Sequence, residues 1–255
     1  MKSYVFIKII IIILILIFVI IIYTSRRIKK PQIQLVVARY NEDLEWLKEE
    51  CFAKYPVICY NKGPNENFYK PKNMKIINLK NVGREFHTYL YHIITNYDNL
   101  SKHTMFLPGS CNMDFKISKA KPWLHEIEKT DKGVFIGVKC EESVLKRWYD
   151  FSIDEWMSSF ENNKNLNPEN KLYNSEIRPF GKWYQKHFGD LDIYYYTCGG
   201  IMGIQKSWII QHPRSYYEKF IQELNKSSNP EVGHYFERAW VAIFHPMKDC
   251  IYIAQ

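Results

Sequence analysis

The sequence predicts an α/β fold with a mostly parallel central sheet flanked by helices, preceded by one N-terminal transmembrane helix. Three observations lead there. Residues 9–23 carry no charge, and counted back through Lys8 to Tyr4 the apolar stretch reaches 20 residues. At ~1.5 Å per residue that spans a hydrocarbon core of about 30 Å. After residue 31, short β-branched runs alternate with amphipathic stretches, the pattern of strands that pair in parallel through helical crossovers. Turn residues, chiefly Gly, Pro and Asn, then close each run.

The first 30 residues read as the anchor with its basic flank. A cleaved signal peptide would need a shorter apolar region and a small-residue cleavage site, and Tyr23-Thr24-Ser25-Arg26 is a poor one. A buried core helix is the lesser alternative, since fifteen unbroken apolar residues leave no wet face. These residues hold Lys2, Lys8, Arg26, Arg27, Lys29 and Lys30 and no acid, which is +6 of the formal +8 and leaves +2 for residues 31–255. The basic excess therefore meets lipid headgroups, and nucleic acid is not an expected partner. The cluster at 26–30 favours a cytoplasmic domain by the positive-inside rule, whereas a lumenal enzyme needs the opposite, so the side of the membrane stays open. Cys51, Cys59, Cys111, Cys140, Cys198 and Cys250 show neither a CxxC pair nor zinc spacing; disulfides are permitted, not implied. Residues 31–255 contain no repeat or low-complexity linker and are expected to form a single α/β domain, with one loose loop at 161–174.

Taken in order, residues 32–38 predict a first strand, and Leu44, Trp46 and Leu47 begin a helical pattern. Strands follow at 57–60 and 75–79. The clearest helix comes after Gly83, where Phe86, Tyr89, Leu90, Ile93, Ile94 and Tyr97 recur at i, i+3, i+4, i+7, i+8 and i+11. A fourth strand fits 103–107, closed by Pro108-Gly109. The second half predicts a strand at 133–139, a helix at 183–188, strand segments at 193–197 and 201–205, and helices near 213–224 and 231–244. The pair Gly199-Gly200 marks a turn or a close backbone approach.

Functional loops of an open parallel sheet lie at the carboxyl ends of its strands. Arg39-Tyr40-Asn41-Glu42-Asp43 occupies such a place, and its polar groups can hold a base or ribose, or Asn41 or Asp43 can simply cap the next helix. Asn81-Val82-Gly83-Arg84-Glu85 opens the best helix, so free backbone N–H groups and Arg84 can meet a phosphate; the bland alternative is a dipole-favoured Glu85 and a surface ion pair for Arg84. His87, Tyr91 and His92 read as wall or surface. Cys198-Gly199-Gly200 offers a backbone platform, and Glu237 is either a general base or half of a salt bridge. No Ser-His-Asp order, HExxH, P-loop or CxxC pair supports a hydrolase, zincin or NTPase.

The string from Val36 to Leu47 resembles the opening of the family called domain of unknown function 3431. So do Tyr60-Asn61-Lys62-Gly63, the run Asn81 to Leu90, Phe106-Leu107-Pro108-Gly109, Cys198-Gly199-Gly200 and Glu237-Arg238-Ala239-Trp240. The layout is similar to a nucleotide-sugar glycosyltransferase of the GT-A type. That resemblance implies nucleotide binding by Arg39, Tyr40, Asn41, Glu42, Asn81, Gly83 and Arg84. It implies a donor or acceptor pocket of Pro108, Gly109, Ser110, Asp114, Cys198, Gly199 and Gly200, with Glu237 as catalytic base. The implied partners are a nucleotide-sugar and a glycan or other hydroxyl acceptor, beside membrane lipid. In that layout the strand before Pro108 ends in Asp-x-Asp, which binds Mn²⁺ or Mg²⁺. Here Pro108-Gly109-Ser110 stands in its place, Asp114 is the nearest carboxylate, and the metal stays unassigned. The rival is a non-catalytic carbohydrate-binding or structural protein on a degenerate GT-A-like fold.

Overall fold

The computed structural model describes Ile13, residues 33–156 and residues 171–254. Apart from Ile13, the expected transmembrane span at 4–23 lies outside them, as do residues 161–170 of the loose loop. No helix among the described residues is long and apolar enough to cross a membrane.

The central sheet has the order β3-β2-β1-β4-β7, built from β1 (Ile33–Arg39), β2 (Val57–Asn61), β3 (Met74–Asn78), β4 (His103–Pro108) and β7 (Met202–Gln205). The first four are parallel and β7 runs against β4. Its strands read as near-continuous apolar runs because both faces are covered. Val36, Tyr60 and Phe106 face one core, under α2 (Arg84–Thr95), α5 (Phe180–Phe188), α7 (Arg214–Leu224) and α8 (Glu231–Ile243). Leu35, Val37, Cys59, Met105 and Leu107 face the other, under Trp46, Phe52 of the short α1 (Glu50–Ala53), and α3 (Asp114–Thr130).

A second sheet, β6-β5-β8, joins β5 (Val134–Lys139) in parallel to β8 (Ile251–Ala254) and antiparallel to β6 (Tyr195–Tyr196). Short α4 (Val144–Trp148) and α6 (Lys206–Ile210) complete the helices named here. The strand predicted at 133–139 therefore forms, but outside the central sheet, and the segment at 193–197 shortens to two residues. The long α3 was not anticipated. Its buried positions Lys116, Ala120, Trp123, Leu124 and Ile127 do follow a helical stripe, but the stripe opens on a lysine and the helix carries Pro122 inside it.

Two features of this frame position the site. Parallel register levels Arg39 with Asn61 and Ala38 with Pro108, so the loops after β1, β2 and β4 leave the same edge. Because β7 is antiparallel, its beginning rather than its end reaches that edge, and Cys198-Gly199-Gly200 arrives there with it.

Candidate functional site

A cavity of about 340 Å³ opens at this carboxyl edge. Of the residues singled out from sequence, Arg39, Tyr40, Glu42, Asn81, Arg84, Pro108, Ser110, Cys198, Gly199 and Glu237 line it. Asn41, Gly83, Gly109, Gly200 and Asp114 are not in the lining. Asp114 sits exposed in the first turn of α3, so it does not stand in for the absent acids; there its charge favours the helix dipole.

The β1 loop is braced from within. Arg39 is buried, donates through Nε to the Glu42 carbonyl at 2.7 Å and through Nη1 to Asn61 Oδ1 at 2.6 Å, and stacks on Phe68. Glu42 Oε2 accepts from the Tyr40 and Asn41 N–H groups at 2.8 and 3.1 Å. Asp43 accepts from the Glu45 N–H at 3.0 Å, a local turn bond rather than the expected cap, since Leu44 is the N-cap residue of the short helical turn at Glu45–Lys48 and no side chain caps it. The next loop fits against this one only because residue 63 is glycine: a Cβ there would lie 1.6 Å from the Tyr40 carbonyl oxygen. Lys62 is thereby held at the cavity, donating to the carbonyl oxygens of Val82, at 2.6 Å, and Arg84.

Arg84 begins α2 at φ 50, a left-handed backbone unusual for a non-glycine residue. Its guanidinium lies 3.5 Å from the ring centroid of Trp156 and its Nε is 3.5 Å from Glu85 Oε2. On the opposite wall Glu237 Oε1 accepts from the N–H groups of Gly199 at 2.6 Å and Gly200 at 3.3 Å. Those glycines stand at φ 77 and 73, the left-handed turn expected of the pair. Oε2 of Glu237 takes no hydrogen bond from the described residues. Burial, then the neighbouring Glu85, push the Glu237 carboxyl above its usual range. Burial alone would raise Glu85 too, but Arg84 and then its own backbone N–H hold it below.

Sequence reasoning passed over several wall residues: Lys62, Glu85, Phe115, Lys116, Trp156 and His234. Lys116 is buried and donates to the Ser110 hydroxyl at 2.7 Å. Burial lowers both lysines, Lys62 to about 7, with Glu85 opposing. Burial lowers His234 to about 3, so it stays neutral. His87 and His92 are buried, not surface: His92 Nδ1 lies 3.0 Å from the Tyr60 hydroxyl within the core. The signals available for the missed cations were Lys62 inside a turn string and Lys116 on the apolar stripe of α3.

The donors at the end of β4 do not fit a divalent cation. The Lys116 ammonium occupies Ser110, and the nearest lining carboxylate, Glu42, is turned onto backbone N–H groups. Among the described residues no group of three or more His, Cys, Asp or Glu side chains could hold a metal.

No curated protein matches this sequence. Among solved structures, the galactosyltransferase LgtC in complex with donor and acceptor sugar analogs is 12% identical, with 86% of this chain and 72% of that one covered at a TM-score of 0.32. A superposition this loose carries no argument. The family model described as "Protein of unknown function (DUF3431)" matches residues 35–254, nearly the whole length after the basic flank, and the chain belongs to that family.

Proposed function

We propose that this chain is a membrane-tethered, GT-A-like glycosyltransferase that moves a sugar from a nucleotide-sugar donor to a hydroxyl of a glycan, lipid or protein. One observation carries the reading. Segments after β1, before α2, after β4, before β7 and within α8 converge on a single cavity at the carboxyl edge of a mostly parallel sheet, where such sheets bind ligands. A scatter of those loops over several faces would have argued against it.

In this reading the nucleoside lies along the braced Tyr40 loop and the diphosphate meets Arg84 and the first turn of α2. Glu237 is the base. With Oε1 fixed by the Gly199 and Gly200 N–H groups, Oε2 takes the proton of the acceptor hydroxyl as that oxygen attacks the anomeric carbon. The bond from the anomeric carbon to the diphosphate oxygen breaks, and its electron pair leaves with the diphosphate. A carboxyl raised by burial suits a base that must hold a proton and later release it. The anchor at 4–23 and the cations at 26–30 would keep this chemistry at a membrane surface.

The test uses the full chain in detergent, screened by thermal shift against nucleoside diphosphates and nucleotide sugars, followed by an assay for released nucleoside diphosphate. One donor class should raise the melting temperature and be turned over when an acceptor is supplied. No shift with any of them, with or without Mn²⁺, sinks the reading. Binding without turnover would favour the non-catalytic carbohydrate-binding protein, a reading supported by Ser110 and Lys116 standing where paired acids are expected.

A further inference from the structure

We infer that Lys62, Lys116 and Arg84 together form a direct receptor for a phosphoanhydride, gripping the diphosphate of a nucleotide with no metal bridge. The nucleotide half of this statement rests on the function proposed above; the phosphoanhydride half does not.

The three cations come from three elements, the loop after β2, the first residue of α2 and the first turn of α3, and all line one cavity. Lys116 is only 8% exposed, and its single hydrogen bond goes to a neutral hydroxyl. Lys62 gives two of its three N–H groups to carbonyl oxygens. Neither lysine has an ion pair with any described residue. An ammonium withdrawn from water is unfavourable until an anion compensates it. Lysines elsewhere on the molecule are treated the other way: Lys121 pairs with Glu49 at 2.6 Å and Lys54 with Glu128 at 2.5 Å, in solvent, where pairing contributes little. Among the described residues, no carboxylate pairs directly with either cavity lysine.

Glu85 offsets part of the burial cost from a distance, but no wall carboxylate is in direct contact with either ammonium. Glu42 is turned onto two N–H groups, Glu85 lies beside Arg84, and Glu237 is bound to the glycine turn. Four cationic side chains, Arg39, Lys62, Arg84 and Lys116, line the cavity against these three acids. The first turns of α2 and α3 both border it, adding the positive ends of two helices of 12 and 17 residues. A diphosphate is the compact, multiply charged anion that such an array complements, and the ammonium beside Ser110 would repel a divalent cation from the same spot.

The test is calorimetric titration of the full chain in detergent with inorganic pyrophosphate, in EDTA and again with Mn²⁺. Pyrophosphate should bind in EDTA, with an affinity that Mn²⁺ changes by less than about threefold. Lys116→Met and Lys62→Met should each weaken binding tenfold or more, while Lys116→Arg retains most of it. Lys116→Met should melt no lower than the parent, since it removes a buried charge; should it fail to fold, Lys116→Arg and Lys62→Met still decide the matter. Binding only with Mn²⁺, no binding in either buffer, or binding indifferent to both methionine variants would overturn the inference. Pyrophosphate binding in EDTA without any response to nucleotide sugars would sustain it while the proposed transferase fell. Nucleotide-sugar turnover strictly dependent on Mn²⁺ would do the reverse.

Discussion

Helix α8 carries two carboxylates with opposite surroundings. At its first turn Glu231 is fully buried and saturated: it accepts from the Ile153 and Ser175 N–H groups at 3.0 and 2.8 Å, from Arg178 at 2.9 Å and from the Tyr235 hydroxyl at 2.8 Å. Less than two turns on, Glu237 has one oxygen on the glycine turn and the other without a donor among the described residues, beside a second carboxylate, at a cavity. The first arrangement holds chain segments together. The second keeps a carboxylate raised and accessible, which no structural role requires. An acid's duty is thus read from how many donors surround it rather than from its burial.

The comparison breaks most readily at Glu237. Glu237→Gln should lower sugar transfer by roughly 10²- to 10⁴-fold, the usual share of a general base, with donor binding and melting temperature nearly unchanged. A melting temperature that collapses with activity would make Glu237 a second structural acid. Glu231→Gln should do the converse and lose on the order of 3–5 kcal/mol in denaturant unfolding, because it removes the charge that compensates Arg178 and turns one of the two accepting oxygens into a donor facing a backbone N–H group. Pyrophosphate affinity of the fraction still folded should stay within a few-fold of the parent.

A smaller effect involves His234, which lies between the two acids on α8. Burial, then Arg84, lowers it to about 3; burial holds His92 at about 4, and burial followed by Lys62 does the same to His87. A depressed histidine contributes stability that is complete above its unfolded pKa near 6.5 and is lost as pH falls towards the folded value. Each should therefore remove about 1.4 kcal/mol per pH unit between roughly pH 6 and 4. A melting curve followed over that range should steepen accordingly, and His92→Leu should flatten it. Glu237 has the opposite sign: its raised carboxyl favours the fold at low pH and loses that contribution as pH rises through its folded value. Smallest of all, Lys121→Ala removes an exposed pair to Glu49 and should leave both stability and anion binding where they were.

The central strands were legible because sheets covered on both faces demand unbroken apolar runs, and α2 because its stripe is regular over three turns. The reach of the loops to one edge followed from parallel pairing; Gly199-Gly200 stood out as a glycine pair, and Glu237, open between a base and a salt bridge on its own, was tipped towards a base by the family strings. What escaped was chemistry disguised as surface. Lys116 reads as a solvated charge until Trp123, Leu124 and Ile127 are seen to bury the helix below it. Lys62 reads as turn decoration until Gly63 presses the turn against Tyr40. The second sheet escaped as well, because β5 pairs with a strand at the far end of the chain, a contact that local periodicity cannot register.

The antiparallel course of β7 has a consequence for biosynthesis. Lys62, Arg84 and Lys116 are encoded in the first half of the sequence, whereas the glycine turn and Glu237 come from its second half. Because α2 packs in one core with α7 and α8 and β4 pairs with β7, the cations are set around the cavity only when these later elements are in place, so the side that holds a ligand and the side that carries the acid are completed together.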